Sequence, residues 1–530
     1  GGHLHSTKSF HSNPEVSLVS MSERTTIPVI KTLLPQISQV RTEIMKELMR
    51  LKNDIADFKP TSDQEGIKNL NKRLTETKKL IEWAATQIQG LYQSYLLPPE
   101  DIYALMSTHT DLFVRLKQLQ VYQMEVGHLS HQSEMWTDKE KLKYDKPFGT
   151  LVIARQPFPK PLKQNTRASA ASEDPTEVLL LHGARMSIVC PTTVKAELVY
   201  EEYHQKGCNF TMQGDVQELD ENNTATFSEI RFSRGTRLKM VRLQFMADVK
   251  YKQYGQISSV VFESDPSSPF IIMTNESQWD FSEGILFKKD AFTRNEISWI
   301  QFSNILQMHY IRATRQDPEV PERPLSMHDL MYIYRSQFSE REIVTQKDFD
   351  RFWKWFGKVL HKIRHQKPFC QLWLKGLIFG FISKPEAEEV LKDQPHGTFI
   401  IRFSERVAGK MAIAYNRMNE STKEIETSHY LVAPHDKKET VAIPDFLSQN
   451  ENFIYVLKLR TDFDAEMVYA KPRQRIIGRT HKNEDLAEYY TKKISQKGLE
   501  GYENTHSPGE RGDVSNVLEQ FDEDGDMMHG

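Results

Sequence analysis

A chain of 530 residues is long enough for three or four domains, and its 38% hydrophobic and 27% charged content is that of a folded protein. No run of about 18 apolar residues offers a membrane span, and the opening stretch GGHLHSTKSFHSNPEVSLVSMSERTT lacks the apolar core of a signal peptide. Cys190, Cys208 and Cys370 are too few and too scattered for a disulfide framework or a cysteine zinc site and fit a reducing compartment; at a formal net charge of -3, any nucleic-acid surface has to be a local patch.

Residues 1–26 carry no periodicity and are expected to be disordered. Over 27–145 apolar residues recur at steps of three and four. Ile37, Val40, Ile44, Leu48, Leu51, Ile55 and Phe58 form one seam. Ile67, Leu70, Leu74, Ile81, Ala84, Ile88, Leu91 and Tyr95 form a second, after the break KPTSDQEG. Ile102, Leu105, Leu112, Leu116, Leu119 and Val126 form a third, after Pro98-Pro99. Heptad-like seams on long helices with short loops predict an antiparallel bundle, with a fourth helix expected around 129–145. Such a bundle is a scaffold or docking surface rather than a catalytic unit.

The pattern over 146–289 changes to short alternating runs, among them TLVIARQPF, VLLLHGARMSIVC, KAELVYEEY, KMVRLQFMADV, SSVVFES and PFIIMTN, separated by Gly, Pro, Asn and Asp. Many short strands with turn signals predict a β-sandwich or barrel. From about 290 to 376 helical periodicity returns, rich in Trp and Phe, and predicts a compact helical connector. Residues 377–490 read as a mixed α/β unit, and 491–530 as a polar, flexible tail with an acidic end.

The α/β unit holds the chemistry. In HGTFIIRFSER an arginine, Arg402, interrupts an apolar strand. Strand alternation sends Phe399, Ile401 and Phe403 to one face and Thr398, Ile400, Arg402 and Ser404 to the other. A guanidinium on a pocket floor with a hydroxyl at its lip is a phosphate receptor: the planar fork gives two parallel charge-assisted bonds that lysine cannot copy. Depth selects for length, so phosphotyrosine reaches such an arginine and phosphoserine does not. The competing reading is an arginine paired with an internal carboxylate.

Order and wording then agree with a known module. ISKPEAEEVLKDQPHG is a helix with Pro385 in its first turn; TFIIRFSE, KMAIAYNR and ETSHYLVAP are strands; TVAIPDFLSQNE is a second helix. This is the order of an SH2 domain, and GTFIIRFSE resembles its diagnostic segment. GFISKPEAEEVLKDQPHGTFIIRFSE is similar to the SH2 subgroup of signal transducers and activators of transcription, the STAT family. The resemblance runs from about residue 27 to about 502, tightly in 380–405, moderately in 269–279 and weakly by residue in the helices, as a member divergent from the animal ones.

The resemblance implies a coiled-coil bundle, an immunoglobulin-like DNA-binding β-domain, a helical linker, an SH2 domain and a tail tyrosine. Arg402 matches the phosphate-binding arginine, Lys384 a helix lysine that also reaches phosphate, and Ser404 and Glu405 the pocket lip. Arg406 stands where many members have serine, and either strengthens phosphate contact or lies in solvent. His429 either packs near the phosphotyrosine ring or is a satisfied structural histidine. In PFIIMTNESQW, Asn275 matches a DNA-contacting asparagine; the alternative is an Asn that stabilises its own turn. Of the basic run Arg231, Arg234, Arg237, Lys239 and Arg242, the residues Arg234, Arg237 and Lys239 are expected to touch DNA, against the alternative of a solvated face. Tyr502, in QKGLEGYENTHSPG, matches the regulatory tyrosine, whereas Tyr489 and Tyr490 read as packing residues.

The implied function is a phosphotyrosine-activated transcription factor that is not an enzyme and needs no cofactor or metal. Its implied partners are double-stranded DNA with a palindromic site, a second copy of itself, and a tyrosine kinase or phosphorylated receptor. It is expected in the cytoplasm, moving to the nucleus on activation. The alternative is an SH2 adaptor whose β-domain binds protein. RGD at 511–513 and DEDGD at 522–526 are decoys; the latter lacks the glycine and closing glutamate of a calcium loop. No phosphate-binding glycine loop, kinase signature or zinc-protease signature is present.

Overall fold

The computed structural model describes residues 27–59, 64–130, 147–157, 159–168, 175–201, 212–253, 255–432, 443–459 and 477–491. Residues 1–26, the body of the expected fourth helix and the tail with Tyr502 lie outside these residues. The described chain divides into two compact units, residues 27–94 with 101–293, and residues 95–100 with 294 onward.

Three long helices open the first unit: α1 (Ile27–Asp57), α2 (Gln64–Ser94) and α3 (Pro99–Ser130). Most of the seam residues are buried, from Ile37, Ile44, Leu48, Leu51 and Ile55 on α1 to Leu70, Leu74, Ile81 and Ile88 on α2, while Val40, Phe58, Ile67, Tyr95 and Leu116 are half-buried. Each buried side chain contributes roughly 1.5–3 kcal/mol, so the seam outweighs the half-exposed ion pairs that line it, Arg73 with Glu47 at 2.8 Å and Arg41 with Asp111 at 2.8 Å.

A β-sandwich follows. One sheet joins β1 (Gly149–Arg155), β3 (Thr176–His182) and β5 (Thr224–Phe227); the other runs from β7 (Gln256–Glu263) through β6 (Val241–Gln253) and β4 (Thr193–Tyr200) to Val216–Glu218. Buried and less buried residues alternate along β6, the signature of a half-covered strand. Val178, Phe227 and Phe245 lie in the shared core. A separate parallel pair, β2 (Pro161–Lys163) with β8 (Ile271–Met273), closes one end. Helix and sandwich are fastened where the buried Glu125 carboxylate accepts the Ala184 and Arg185 N–H groups at 2.8 and 2.9 Å. The helical pattern expected from 290 begins earlier, with α4 (Trp279–Ala291).

The second unit starts with the aromatic-rich helices α5 (Trp299–Ala313), α6 (Met327–Phe338) and α7 (Gln346–His365), then the short α8 (Phe369–Leu374). Two three-residue strands, β9 (Glu296–Ser298) and β10 (Ile343–Thr345), pair antiparallel ahead of α5 and α7. Strands this short show no alternation, so residues 296–298 read as helix from sequence. Phe302, Phe338, Phe352 and Phe356 form the core, and capping boxes at Ser326/Asp329 and Thr345/Asp348 start α6 and α7.

The α/β part comprises α9 (Lys384–Leu391), β11 (Thr398–Phe403), β12 (Met411–Met418), β13 (Ile425–Val432), α10 (Ile443–Gln449), β14 (Tyr455–Leu459) and β15 (Ile477–His481). The sheet order is β13-β12-β11-β14-β15. Every residue of β11 is buried, because both sheet faces are covered. Ile400, Ala414 and Leu457 pack under Ala387 and Leu391 of α9. On the other face Phe399 meets Phe453, and Phe403 meets Phe381.

Candidate functional site

Arg402 is 0% exposed. Its register partner on β12 is Ala412, and Ile400 stands opposite Ala414, which in turn faces His429 on β13. Ile400, Arg402, Ala412, Ala414 and His429 therefore share one face of the sheet. The two alanines keep the cross-strand neighbours of Arg402 and Ile400 small. Gly380, at φ +90, pairs with Arg402 on the far edge and packs against Trp373, where a Cβ would come within 2.7 Å of the indole.

Helix α9 crosses this face. Ser383 caps it by accepting the Glu386 N–H at 3.3 Å, Pro385 sits in its first turn, and Lys384 is its first residue. Glu388, one turn after Lys384, accepts a hydrogen bond from His429 Nε2 at 2.9 Å. His429 Nδ1 is buried without a hydrogen-bond partner among the described residues. Burial holds the His429 imidazole below its ordinary range; Glu388 pulls it up, while the Arg402 and Lys384 charges push it further down. Arg402 and Lys384 thus both lie near enough to act on His429.

Ser404 is buried at the end of β11, and its Oγ accepts the Val407 N–H at 3.2 Å. Glu405 is half-buried and Arg406 exposed on the turn that follows. The structure brings Lys384, Arg402, Ser404 and His429 to one end of the sheet and leaves Arg406 at the rim. Two cations, a hydroxyl and an imidazole can bind a phosphate dianion; they contain no nucleophile with its own base. Glu388 escaped the sequence reading although a signal existed: it lies four residues after Lys384, on the same helix face.

A second cluster forms at the closed end of the sandwich. Thr236 is buried there: its N–H bonds Ile272 O at 2.8 Å and its Oγ1 bonds Lys239 O at 2.8 Å. Gly235 presses on Thr274, where a Cβ would lie 2.7 Å from the threonine methyl. The loop carrying Arg234, Arg237 and Lys239 therefore rests against β8 and Thr274, immediately before Asn275. Arg234 and Arg237 are exposed; Arg237 and Leu238 both take positive φ, +53 and +62, a costly conformation for residues with a Cβ. Arg242 is instead committed to Glu201, which it bonds through Nη2 at 3.1 Å. Asn275 Oδ1 caps its own turn by accepting the Ser277 N–H at 3.0 Å. The side chain is exposed, so its amide N–H₂ is presented at the surface while its oxygen is engaged locally.

The comparisons with known proteins divide the chain along the same lines. Residues 28–135 match the Dictyostelium STAT coiled-coil family, 149–273 the STATa immunoglobulin-like domain, 275–366 an EF-hand fold domain and 377–454 the SH2 domain. The curated relatives include Signal transducer and activator of transcription A of Dictyostelium discoideum, 32% identical over 504 residues, covering 93% of this chain and 66% of that protein. Signal transducer and activator of transcription B of the same organism is 32% identical over 472 residues, covering 83% of this chain and 39% of that protein. The fold is thus a coiled-coil helical region, an immunoglobulin-like β-domain, a helical linker and an SH2 domain.

An EF-hand fold raises the question of calcium, which needs oxygen ligands at loop positions 1, 3, 5 and 12 and glycine at 6. The residues do not fit. Counted back from the third residue of α5, the first loop is 290–301, with Phe292, Arg294 and Gln301 at positions 3, 5 and 12. Counted likewise from α7, the second is 337–348, with Arg341 at position 5 and Glu342 at 6. Arg341 Nη2 lies 2.5 Å from Oδ1 of Asp348, at position 12, and Arg351 Nη2 lies 2.9 Å from the same atom. A guanidinium occupies the place of the ion. No group of three metal-ligating side chains occurs among the described residues, and no described helix is long and apolar enough to cross a membrane.

Proposed function

Because the chain belongs to the family of signal transducers and activators of transcription, we propose that it is a phosphotyrosine-switched, sequence-specific DNA-binding factor. The convergence of buried Arg402 with Lys384, Ser404 and His429 on one sheet face carries this reading. Phosphorylation of Tyr502 adds about -1.5 to -2 charges and three acceptor oxygens, which Arg402 and Lys384 complement. Ser404, Glu405 and Arg406 border the phosphate, and His429 borders the ring.

Two chains exchanging tails close a two-fold symmetric pair, and once one tail docks the second docks at high effective concentration. Two-fold symmetry favours a palindromic DNA site. Arg234, Arg237 and Lys239 contact phosphates, and Asn275 contacts the duplex through its amide. The partners are a second copy of the chain, duplex DNA and a tyrosine kinase or phosphorylated receptor. The factor waits in the cytoplasm and enters the nucleus when phosphorylated.

Light scattering and DNA retention before and after tyrosine-kinase treatment test the reading. The phosphorylated parent forms a dimer that free phosphotyrosine peptide dissociates and that binds specific duplex; Tyr502→Phe does neither. A Phe variant that still gains both places the switch elsewhere. A peptide-sensitive dimer with no sequence-specific DNA retention favours the adaptor reading, toward which the local engagement of Asn275 Oδ1 points.

A further inference from the structure

We infer that the phosphate-binding turn is held in its working shape by the linker, with Trp355 and Lys362 of α7 as positioning residues. The inference rests on the phosphotyrosine reading of the Arg402 pocket.

The turn runs from Ser404 to Lys410 and closes on itself through Ser404 N–H to Lys410 O at 3.0 Å and Lys410 N–H to Val407 O at 3.1 Å. Both of its ends are fastened to α7. The Trp355 indole Nε1–H donates to Ser404 O at 2.7 Å, and Lys362 Nζ donates to Gly409 O at 3.1 Å. Trp355 and Ser404 are both buried, 4% and 1% exposed, so neither group has water as a substitute partner. At the second anchor, Gly409 takes φ +77 and lies so near α7 that a Cβ there would stand 3.3 Å from Cβ of Lys358. Trp355, Lys358 and Lys362 follow at steps of three and four and occupy one face of the helix.

The consequence is directional. A trans peptide is planar, with its C=O and N–H opposed. Fixing Ser404 O on α7 therefore points the Glu405 N–H away from Trp355, and the Val407 N–H separately holds Ser404 Oγ at 3.2 Å within the same turn. Phosphate then meets donors that need no ordering on binding, which lowers the cost of docking. Trp355 lies 49 residues before Ser404, outside the segment that carries the SH2 match.

The test uses the full chain and a phosphotyrosyl peptide spanning residues 497–508. Trp355→Phe keeps an aromatic six-membered ring in the buried cluster and removes the N–H together with the rest of the indole; Lys362→Met keeps an unbranched stem and removes the ammonium, whose Nζ also lies 4.8 Å from the centre of the Phe369 ring. Each is expected to weaken peptide binding about fivefold or more, the worth of one buried hydrogen bond, through faster dissociation. Combined with Ser404→Ala, Trp355→Phe is expected to add much less than its single effect, because both act through one turn. Strict additivity in that cycle overturns the inference, as do Trp355→Phe and Lys362→Met chains that both bind within twofold of the parent while Arg402→Lys does not. If Arg402→Lys itself binds like the parent, the pocket reading fails and this inference falls with it.

Discussion

Arg402 stands in the middle of a sheet with no exposed surface, whereas Arg234 and Arg237 stand on an exposed loop of the β-domain. Both sets are proposed to meet phosphate oxygens, but burial makes them different instruments. A guanidinium at the base of a pocket can be reached only by a phosphate on a long rigid stem, and its bonds form away from screening water. Arginines on a surface loop take any phosphate that passes, one contact at a time, and salt screens them. One site can therefore act as a switch and the other as a graded hold.

The largest effect should come from the buried site. Arg402→Lys keeps the charge and loses the fork, and should cost about 1.5–3 kcal/mol of phosphopeptide binding, roughly tenfold or more in affinity. Calorimetry with the 497–508 phosphopeptide measures it. A lysine variant that binds as tightly as the parent would mean that depth and fork do not matter here, and the contrast with the β-domain would collapse.

The exposed site should answer more gently and in the salt dependence. Arg234→Gln, Arg237→Gln and Lys239→Gln should each flatten the slope of log affinity against log salt by about 0.9, one released counterion apiece. Asn275→Ala should weaken binding to the specific site more than to random duplex, without touching the phosphopeptide. Slopes that stay at the parent value in all three charge variants would assign these residues to a solvated face.

How far each site was readable follows from the same contrast. Arg402 was legible as a position because an arginine inside an apolar strand needs a reason, and the structure buries it on the face that α9 crosses. The helical seams were equally plain, since a repeat of three and four survives any tertiary detail. The linker was harder. Its β9 and β10 strands are three residues each, and its hydrophobic content reads simply as core. The Trp355 contact could not be foreseen, because nothing local to a buried tryptophan says which distant carbonyl its N–H will meet. Asn275 was legible as a position but ambiguous as a role: an Asn at a loop end can serve DNA or its own turn, and the structure engages its oxygen in the turn.

Burial also predicts a pH response that the loop arginines cannot share. His429 faces Glu388 and Lys384 from α9, Arg402 from β11 and the apolar Ala414 from β12, and its folded pKa is held below the unfolded value of about 6.5. Below about pH 6.5 the unfolded chain therefore takes up a proton at His429 that the folded chain resists, and stability falls as pH drops; above that range the term vanishes. Comparing unfolding of the parent and His429→Gln between about pH 7.5 and about pH 5.5 isolates it, since other histidines are common to both. The parent's advantage should shrink as pH falls. A constant gap would mean that His429 titrates alike in both states.

The smallest effect expected is none, and it concerns a third arginine that lies between the two extremes. Arg341 is half-exposed, but its partner Asp348 is 6% exposed. Burial pushes the Asp348 carboxyl up, yet the Thr345 N–H and hydroxyl, with Arg341 and Arg351, outweigh it and leave the group below the usual carboxylate range. The carboxylate that would close a calcium loop is thus already ionised and satisfied by protein cations. An EF-hand loop of sensor affinity, about 1 μM, would add about 4 kcal/mol of stability at about 1 mM calcium. Here calcium and a chelator should give the same melting temperature. Arg341→Gln should cost only about 0.5–1 kcal/mol, because water screens the exposed guanidinium and Arg351 remains on the same oxygen. A calcium-dependent rise in the parent's melting temperature would show that the ion competes successfully with Arg341, and that the charge in this loop is exchangeable.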